Sequence, residues 1–300
     1  MTTENQAGII YSMTGFGRAT GQFENTPLTI EIKSVNHRYS DIRVKIPQEL
    51  GGMEQKFRQK LQESVSRGRV ELQIRFAEGQ SLPLIPELNV PMAKHYQSLF
   101  HQLSEELQLP KAEPSIEWLV QQPGVLTAQP PEELGSVQDA LLETLQDALK
   151  AFLQMRQQEG EHLKQDLLKR LGTLQGIHDK VFKRAPQLPK LYQEKLKERL
   201  EELTLPNTIQ EDRLHQEVAI WADKSDITEE LTRLNSHIVQ FRDLLGKGGV
   251  VGRRLDFICQ EFLREANTIG SKNQDAEIGS QLIPLKAEIE KIREQSQNIE

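Results

Sequence analysis

Near the end of this chain, carboxylates, a histidine and arginines recur at spacings that suit phosphate chemistry. Asp223, Asp226, Glu230, Arg233 and His237 follow one another at intervals of three and four residues. If residues 211–245 form one helix, they make a single stripe along it. Arg254, Glu261 and Glu265 share a face of the next expected helix, with Arg264 beside them. Packing the two helices together brings the carboxylates and the histidine into one volume. Hard divalent ions prefer carboxylate and water ligands, so such a cluster suits Mg2+ or Mn2+. The candidate metal ligands are Asp226, Glu230, Glu261 and Glu265, and the candidate catalytic groups are Glu230, His237, Glu261 and Glu265. His237 is included because imidazole can both take and give a proton near neutral pH. A ladder of salt bridges along packed helices would use the same residue types. Spacing alone leaves both readings open.

Two further groups could hold phosphate. The loop GKGGVVGRR, residues 246–254, has glycines that let backbone amides approach an anion, followed by Arg253 and Arg254. It lacks the GxxxxGK[ST] spacing of a P-loop, and a plain helix connection would read the same way. Arg264 and Lys272 continue the cationic set. Near the start, Asn36, His37, Arg38 and Tyr39 set polar, cationic and aromatic groups at a strand end, and Arg67 lies in a second basic turn. Phe16 and Tyr39 could stack on bases, although aromatics near strands more often belong to a core.

The elements that must position these groups are legible as patterns. Leu28, Ile30 and Ile32 alternate with polar residues, as do Val70, Leu72, Ile74 and Phe76, so both stretches read as strands. Between them Leu50, Met53, Phe57, Leu61 and Val65 recur every three or four residues, predicting a helix over 48–65. Prolines at 83, 86 and 91 mark a boundary. Helices are expected over 92–107, 136–181, 187–203 and 211–245. Ile227, Leu231, Leu234, Ile238, Phe241 and Leu245 form a heptad-like seam, matched in the last helix by Ile278, Leu282, Leu285, Ile289, Ile292 and Ile299. Such seams pack as an antiparallel hairpin or across subunits. Pro284 should kink the last helix.

The expected class is α+β. A β-rich N-terminal domain with one helix (1–80) precedes a helical middle region (81–205) and a C-terminal helical domain (206–300) that carries the metal and phosphate residues.

Composition limits the partners. A formal charge of −7 over 300 residues excludes a protein that coats nucleic acid over its whole surface. Any such site must be local, and residues 31–75 hold ten Lys or Arg against six Asp or Glu. The single cysteine, Cys259, rules out an internal disulfide or a cysteine metal cluster and is expected in the core. No apolar run approaches the roughly 18 residues of a membrane span, and MTTENQAGII shows no leader pattern. The expectation is a cytoplasmic protein.

Six blocks carry a resemblance: SMTGFGRA from Ser12, SVNHRY from Ser34, SRGRVEL from Ser66, MRQQEG from Met155, GRRLDFICQEFLREANTIGSK from Gly252, and the closing REQSQNIE. Together they resemble the YicC/YloC family, in order and over essentially the whole chain. The resemblance implies a cytoplasmic bacterial endoribonuclease that cuts single-stranded or structured RNA with a divalent ion and assembles as a hexamer enclosing a channel. The family's charged C-terminal positions match here as Glu217, Asp226, Glu229, Glu230, His237, Arg253, Arg254, Asp256, Glu261, Arg264, Glu265, Asn267 and Lys272. Gly51-Gly52 and Ile283-Pro284 depart from the family's pattern, the second threatening to interrupt the last helix. The expected function is metal-dependent internal cleavage of RNA by a ring-shaped homo-oligomer. The alternatives are a noncatalytic RNA-binding adaptor acting through a partner ribonuclease, and a plain helical scaffold.

Overall fold

The computed structural model describes residues 8–23, 26–37, 39–65, 67–77, 85–110, 113–129, 134–202 and 211–300. Its N-terminal sheet consists of β1 (Gly15–Phe23), β2 (Thr26–Val35), β3 (Asp41–Lys45) and β4 (Arg69–Phe76), in the order β1-β2-β4-β3. The period-two pattern sets the register. Ile30 pairs with Ile74 and Ile32 with Leu72 across β2 and β4, so their side chains share one buried face. β3 runs parallel to β4, which requires a crossover. Helix α1 (Glu54–Ser64) supplies it, burying Phe57 and Leu61. The helix expected from Gln48 begins later because Gln48–Met53, with both Gly51 and Gly52, forms a 3-10 turn.

Glycines decide how the sheet meets the longest helix, α4 (Leu134–Arg184). Gly15, Gly17 and Gly21 lie on one face of β1, and a Cβ at Gly17 would collide with the backbone of Ala148. Their absent side chains let α4 lie directly on the strand, where Leu141, Leu145, Ala148 and Phe152 complete the sheet core. At 51 residues α4 spans about 75 Å. Its far half, through Leu167, Leu171 and Leu174, joins a second core.

That second core belongs to the C-terminal helices: α5 (Leu188–Glu202), α6 (Glu211–Ser225), α7 (Thr228–Lys247), α8 (Gly252–Lys272) and α9 (Ala276–Ser296). Every residue of the two expected seams is buried, and α7, α8 and α9 pack together within the one chain. Cys259 lies in this core, where burial pushes its thiol pKa up to about 12. Two expectations are corrected. The helix over 211–245 breaks at Asp226 and Ile227, where Asp226 Oδ1 accepts from the Thr228 amide at 2.9 Å and opens α7. Pro284 does not interrupt α9, because it and Ser280, whose carbonyl loses its partner, both face solvent.

Sequence periodicity found one helix, expected over 92–107, of a small arm between sheet and α4 but missed its other elements. It consists of β5 (Ile85–Leu88) paired with β6 (Leu126–Gln129), with α2 (Val90–Glu106) and α3 (Ile116–Val120) between them. α2 buries none of its residues.

Residues 298–300 tie the two cores together. Ser12 bridges Ile299, the Met13 amide donates to Asn298 O at 2.8 Å, and the Glu300 amide donates to Tyr11 O at 3.0 Å. The Glu300 carboxylate pairs with fully buried Arg156 and accepts from the Arg67 amide at 2.8 Å. Burial lowers the Arg156 pKa to about 10. No described helix is long and apolar enough to cross a membrane.

A candidate active site along the α7–α8 seam

The turn between α7 and α8 is built by glycine. Gly248, at φ +65°, and Gly249, at +77°, reverse the chain with a backbone that other residues rarely adopt. The Gly249 amide donates to Ile9 O at 2.8 Å and the Gly248 amide to Leu244 O at 3.1 Å. These two amides therefore serve the turn, and the expectation that they approach an anion is corrected.

The turn sends α8 back along α7, and charged residues meet in ranks along the seam. At its far end Lys272 Nζ donates to Glu230 Oε1 at 2.7 Å. Next, Arg233 stands 4.0 Å from Glu265 Oε1 and also pairs with Glu229. In the middle, His237, Glu261 and Glu265 converge, with one ligand atom from each within 4.8 Å of the others. Phe241 and Phe262 stack nearby at 5.8 Å, fixing the helix contact.

Glu265 is only 3% exposed, and His237 Nδ1 is buried with no hydrogen-bond partner among the described residues. A buried ring nitrogen without a partner is costly, and a bound water or ion would satisfy it. An imidazole with two carboxylates is a donor set that fits a first-row divalent ion, Mn2+ more readily than Mg2+. The outer partners are also present: Arg264 lies 3.4 Å from Glu261 Oε2.

His237 also lines a cavity of about 440 Å³ with Gln240, Asp243, Leu244, Lys247, Arg253, Arg254, Phe257 and Ile258. The first turn of α8 thus delivers two guanidinium groups beside the acidic cluster. Arg67 arrives from the sheet domain. Burial lowers its pKa, and the charge of Arg253 adds to the effect, while Asp256 opposes it. Its Nε is buried without a hydrogen-bond partner among the described residues.

The sequence candidates separate accordingly. His237, Glu261 and Glu265 come together, and Arg253 and Arg254 stand beside them with Arg67 adjoining. Glu230 and Asp226 lie outside the convergent group. Glu230 holds Lys272, and its other oxygen is buried without a partner among the described residues. Asp226 sits at the start of α7, where its pKa is lowered by the Thr228 hydroxyl and amide and by the charge of Lys272. Asn36 donates to Gln297 O at 2.8 Å and to Asn298 Oδ1 at 3.1 Å, steadying the segment that carries Glu300. His37 Nδ1 lies 3.0 Å from Tyr39 O. Arg38 lies outside the described residues. Phe257 and Lys247 were not anticipated, yet Phe257 had a signal: a large aromatic out of phase with the apolar seam of α8.

An α+β chain whose helical bundle gathers an imidazole, two carboxylates and several guanidinium groups beside a cavity has the groups of an enzyme acting on phosphate esters. Comparison with known proteins makes the class definite. Residues 10–165 match the profile described as "Endoribonuclease YicC-like, N-terminal region", and residues 181–300 match "Endoribonuclease YicC-like, C-terminal". The chain belongs to the YicC-like endoribonuclease family. It is 36% identical over 291 residues to the "Probable endoribonuclease YicC" of Clostridioides difficile (strain 630), covering 96% of this chain and 99% of the relative. It is 34% identical over 297 residues to the protein of the same name from Haemophilus influenzae, covering 97% and 100%.

Proposed function

We propose that this chain cleaves RNA internally at the α7–α8 seam, with His237, Glu261 and Glu265 holding a divalent ion, Mn2+ or Mg2+. The convergence of their ligand atoms within 4.8 Å carries the reading. Such an ion supplies charge neutralisation at a phosphoryl oxygen and eases deprotonation of the attacking hydroxyl. Arg253 and Arg254 bind the phosphate from the cavity wall, Arg67 extends the cationic surface towards the sheet, and His37 and Arg38 serve to guide the strand. Arg264 orients Glu261. Glu230 and Lys272 hold the helix ends in register, so their part in cleavage is to position the seam.

We further propose a homo-oligomer, a hexameric ring working in the cytoplasm, and the exposed apolar arm supports the self-association. Leu99, Leu103, Leu107, Leu109, Ile116 and Trp118 are all exposed on the arm. A second copy of the chain is the occupant that would cover them.

The test is a denaturing gel of labelled single-stranded RNA incubated with wild type and with Glu261→Gln, in Mn2+, Mg2+ or chelator. Internal cuts by wild type in metal, lost in the variant and in chelator, are expected. Binding by both proteins without cutting by either would favour an adaptor that recruits a partner ribonuclease. Equal cutting by both would overturn the ligand assignment.

A further inference from the structure

Phe257 is 60% exposed, although α8 is otherwise well buried on its apolar side. It lies three residues after Arg254 and four before Glu261, so on the helix surface it stands one turn from each, about 5–6 Å between neighbouring Cβ atoms. Its ring lines the same cavity as Lys247, Arg253, Arg254 and His237. An apolar ring gains nothing from exposure, and the charges around it are mostly cationic, with Asp243 the one carboxylate in the lining. An anionic polymer with flat apolar faces matches that surface in both respects. The cavity, about 440 Å³, falls in the usual range for sites that hold a small molecule or a single residue of a polymer.

We propose that Phe257 is the stacking platform for the base next to the scissile phosphate, and that it thereby restricts cleavage to nucleotides that are unpaired at that position. The inference rests on the proposed nuclease site and adds to it the residue that reads the substrate's state. A phosphate held by Arg253 and Arg254 and cut beside Glu261 has its attached nucleoside over the intervening turn, where Phe257 stands. A base in a duplex is stacked on its neighbours and cannot offer its face to the ring. A single-stranded base can, and the contact favours no one base because every base has a π-face.

The experiment uses the full-length protein and short single-stranded RNAs with one mapped cut, measuring both affinity and cleavage. Phe257→Ala should lose about tenfold in affinity, with an unchanged salt dependence because no cation is removed. Phe257→Trp should retain binding, and its fluorescence should be quenched on adding RNA. Phe257→Leu, which keeps apolar bulk without the ring, should behave like Phe257→Ala. An abasic nucleotide at the mapped position should weaken wild type by a similar factor and Phe257→Ala hardly further. Full affinity in Phe257→Ala or Phe257→Leu, or an equal effect of the abasic nucleotide in wild type and Phe257→Ala, would overturn the assignment. A changed mass of Phe257→Ala by sedimentation would also overturn it, since it would place the ring in a contact between copies. Failure of wild type to bind or cut any RNA would instead sink the nuclease reading, so the two failures are distinguishable.

Discussion

Lys272 and Glu230 meet at 2.7 Å across the two helices that frame the acidic cluster, joining the last turn of α8 to the first turn of α7. Glu230 is 7% exposed, and among the described residues Lys272 is its ion-pair partner. Lys272→Ala should therefore destabilise the fold by about 2 kcal/mol, the usual worth of a hydrogen bond to a charged group. Adding Glu230→Gln should recover part of the loss, because the stranded charge is then gone. Urea denaturation of the three proteins checks this, and an unchanged midpoint in Lys272→Ala would mean that the pair contributes nothing.

Metal binding at His237, Glu261 and Glu265 should be visible without any RNA. A ligand that binds only the folded state stabilises it by about 2.7 kcal/mol at a hundredfold excess over its dissociation constant. Mn2+ should raise the melting temperature of wild type, and His237→Ala should abolish the rise. An equal rise in both proteins would move the ion elsewhere.

Arg67 gives a prediction about salt. Its backbone amide holds Glu300, whereas its guanidinium stands near Arg253. Arg67→Ala therefore keeps the structural hydrogen bond and removes only the cation. Affinity for RNA should fall for all sequences alike, and the slope of log affinity against log salt should shrink by about 1. Titrations at several salt concentrations measure it, and an unchanged slope would remove Arg67 from the phosphate path.

Asp226 gives a prediction about pH. Its folded pKa is held below the ordinary 3.8 by the Thr228 hydroxyl and amide. A depressed carboxylate contributes stability above its unfolded pKa, and that contribution disappears as pH falls through the folded value. Asp226→Ala should cost about 1 kcal/mol at pH 7, as loss of a helix-start hydrogen bond does. The gap to wild type should close as the pH drops below about 4. Melting curves from pH 7 to pH 3 test both the size and the sign.

The seam was legible because heptad spacing survives into three dimensions. Leu231, Leu234, Ile238 and Phe241 are buried on α7 as their period requires. The break before α7 was hidden by the same regularity, since Ile227 stays in phase across it. A signal was present all the same: Asp226 followed three residues later by Glu229 has the pattern that opens helices. Treating 211–245 as one rod aligned Asp226 and Glu230 with His237. Only the fold, which places Lys272 opposite Glu230, separates them. The proximity of Arg67 to Arg253 was beyond reach for a different reason, because periodicity carries no information about which distant turns touch. Nor does periodicity show why residues 15 and 17 are glycine, which is plain only once α4 lies on them.

The strap through Ser12, Ile299 and Glu300 bears on the order in which the molecule forms. Arg67 and Glu300 are 233 positions apart, so their contact closes a very long loop. During synthesis the sheet and the first half of α4 can assemble while the bundle is still being made. The junction between the two cores cannot close until the final turn of α9 and residues 297–300 are free of the ribosome. Arg156 must wait in the nascent chain without its carboxylate partner. The hydrogen bond from the Arg67 amide to Glu300 therefore joins the sheet domain to the bundle only after both have been synthesised.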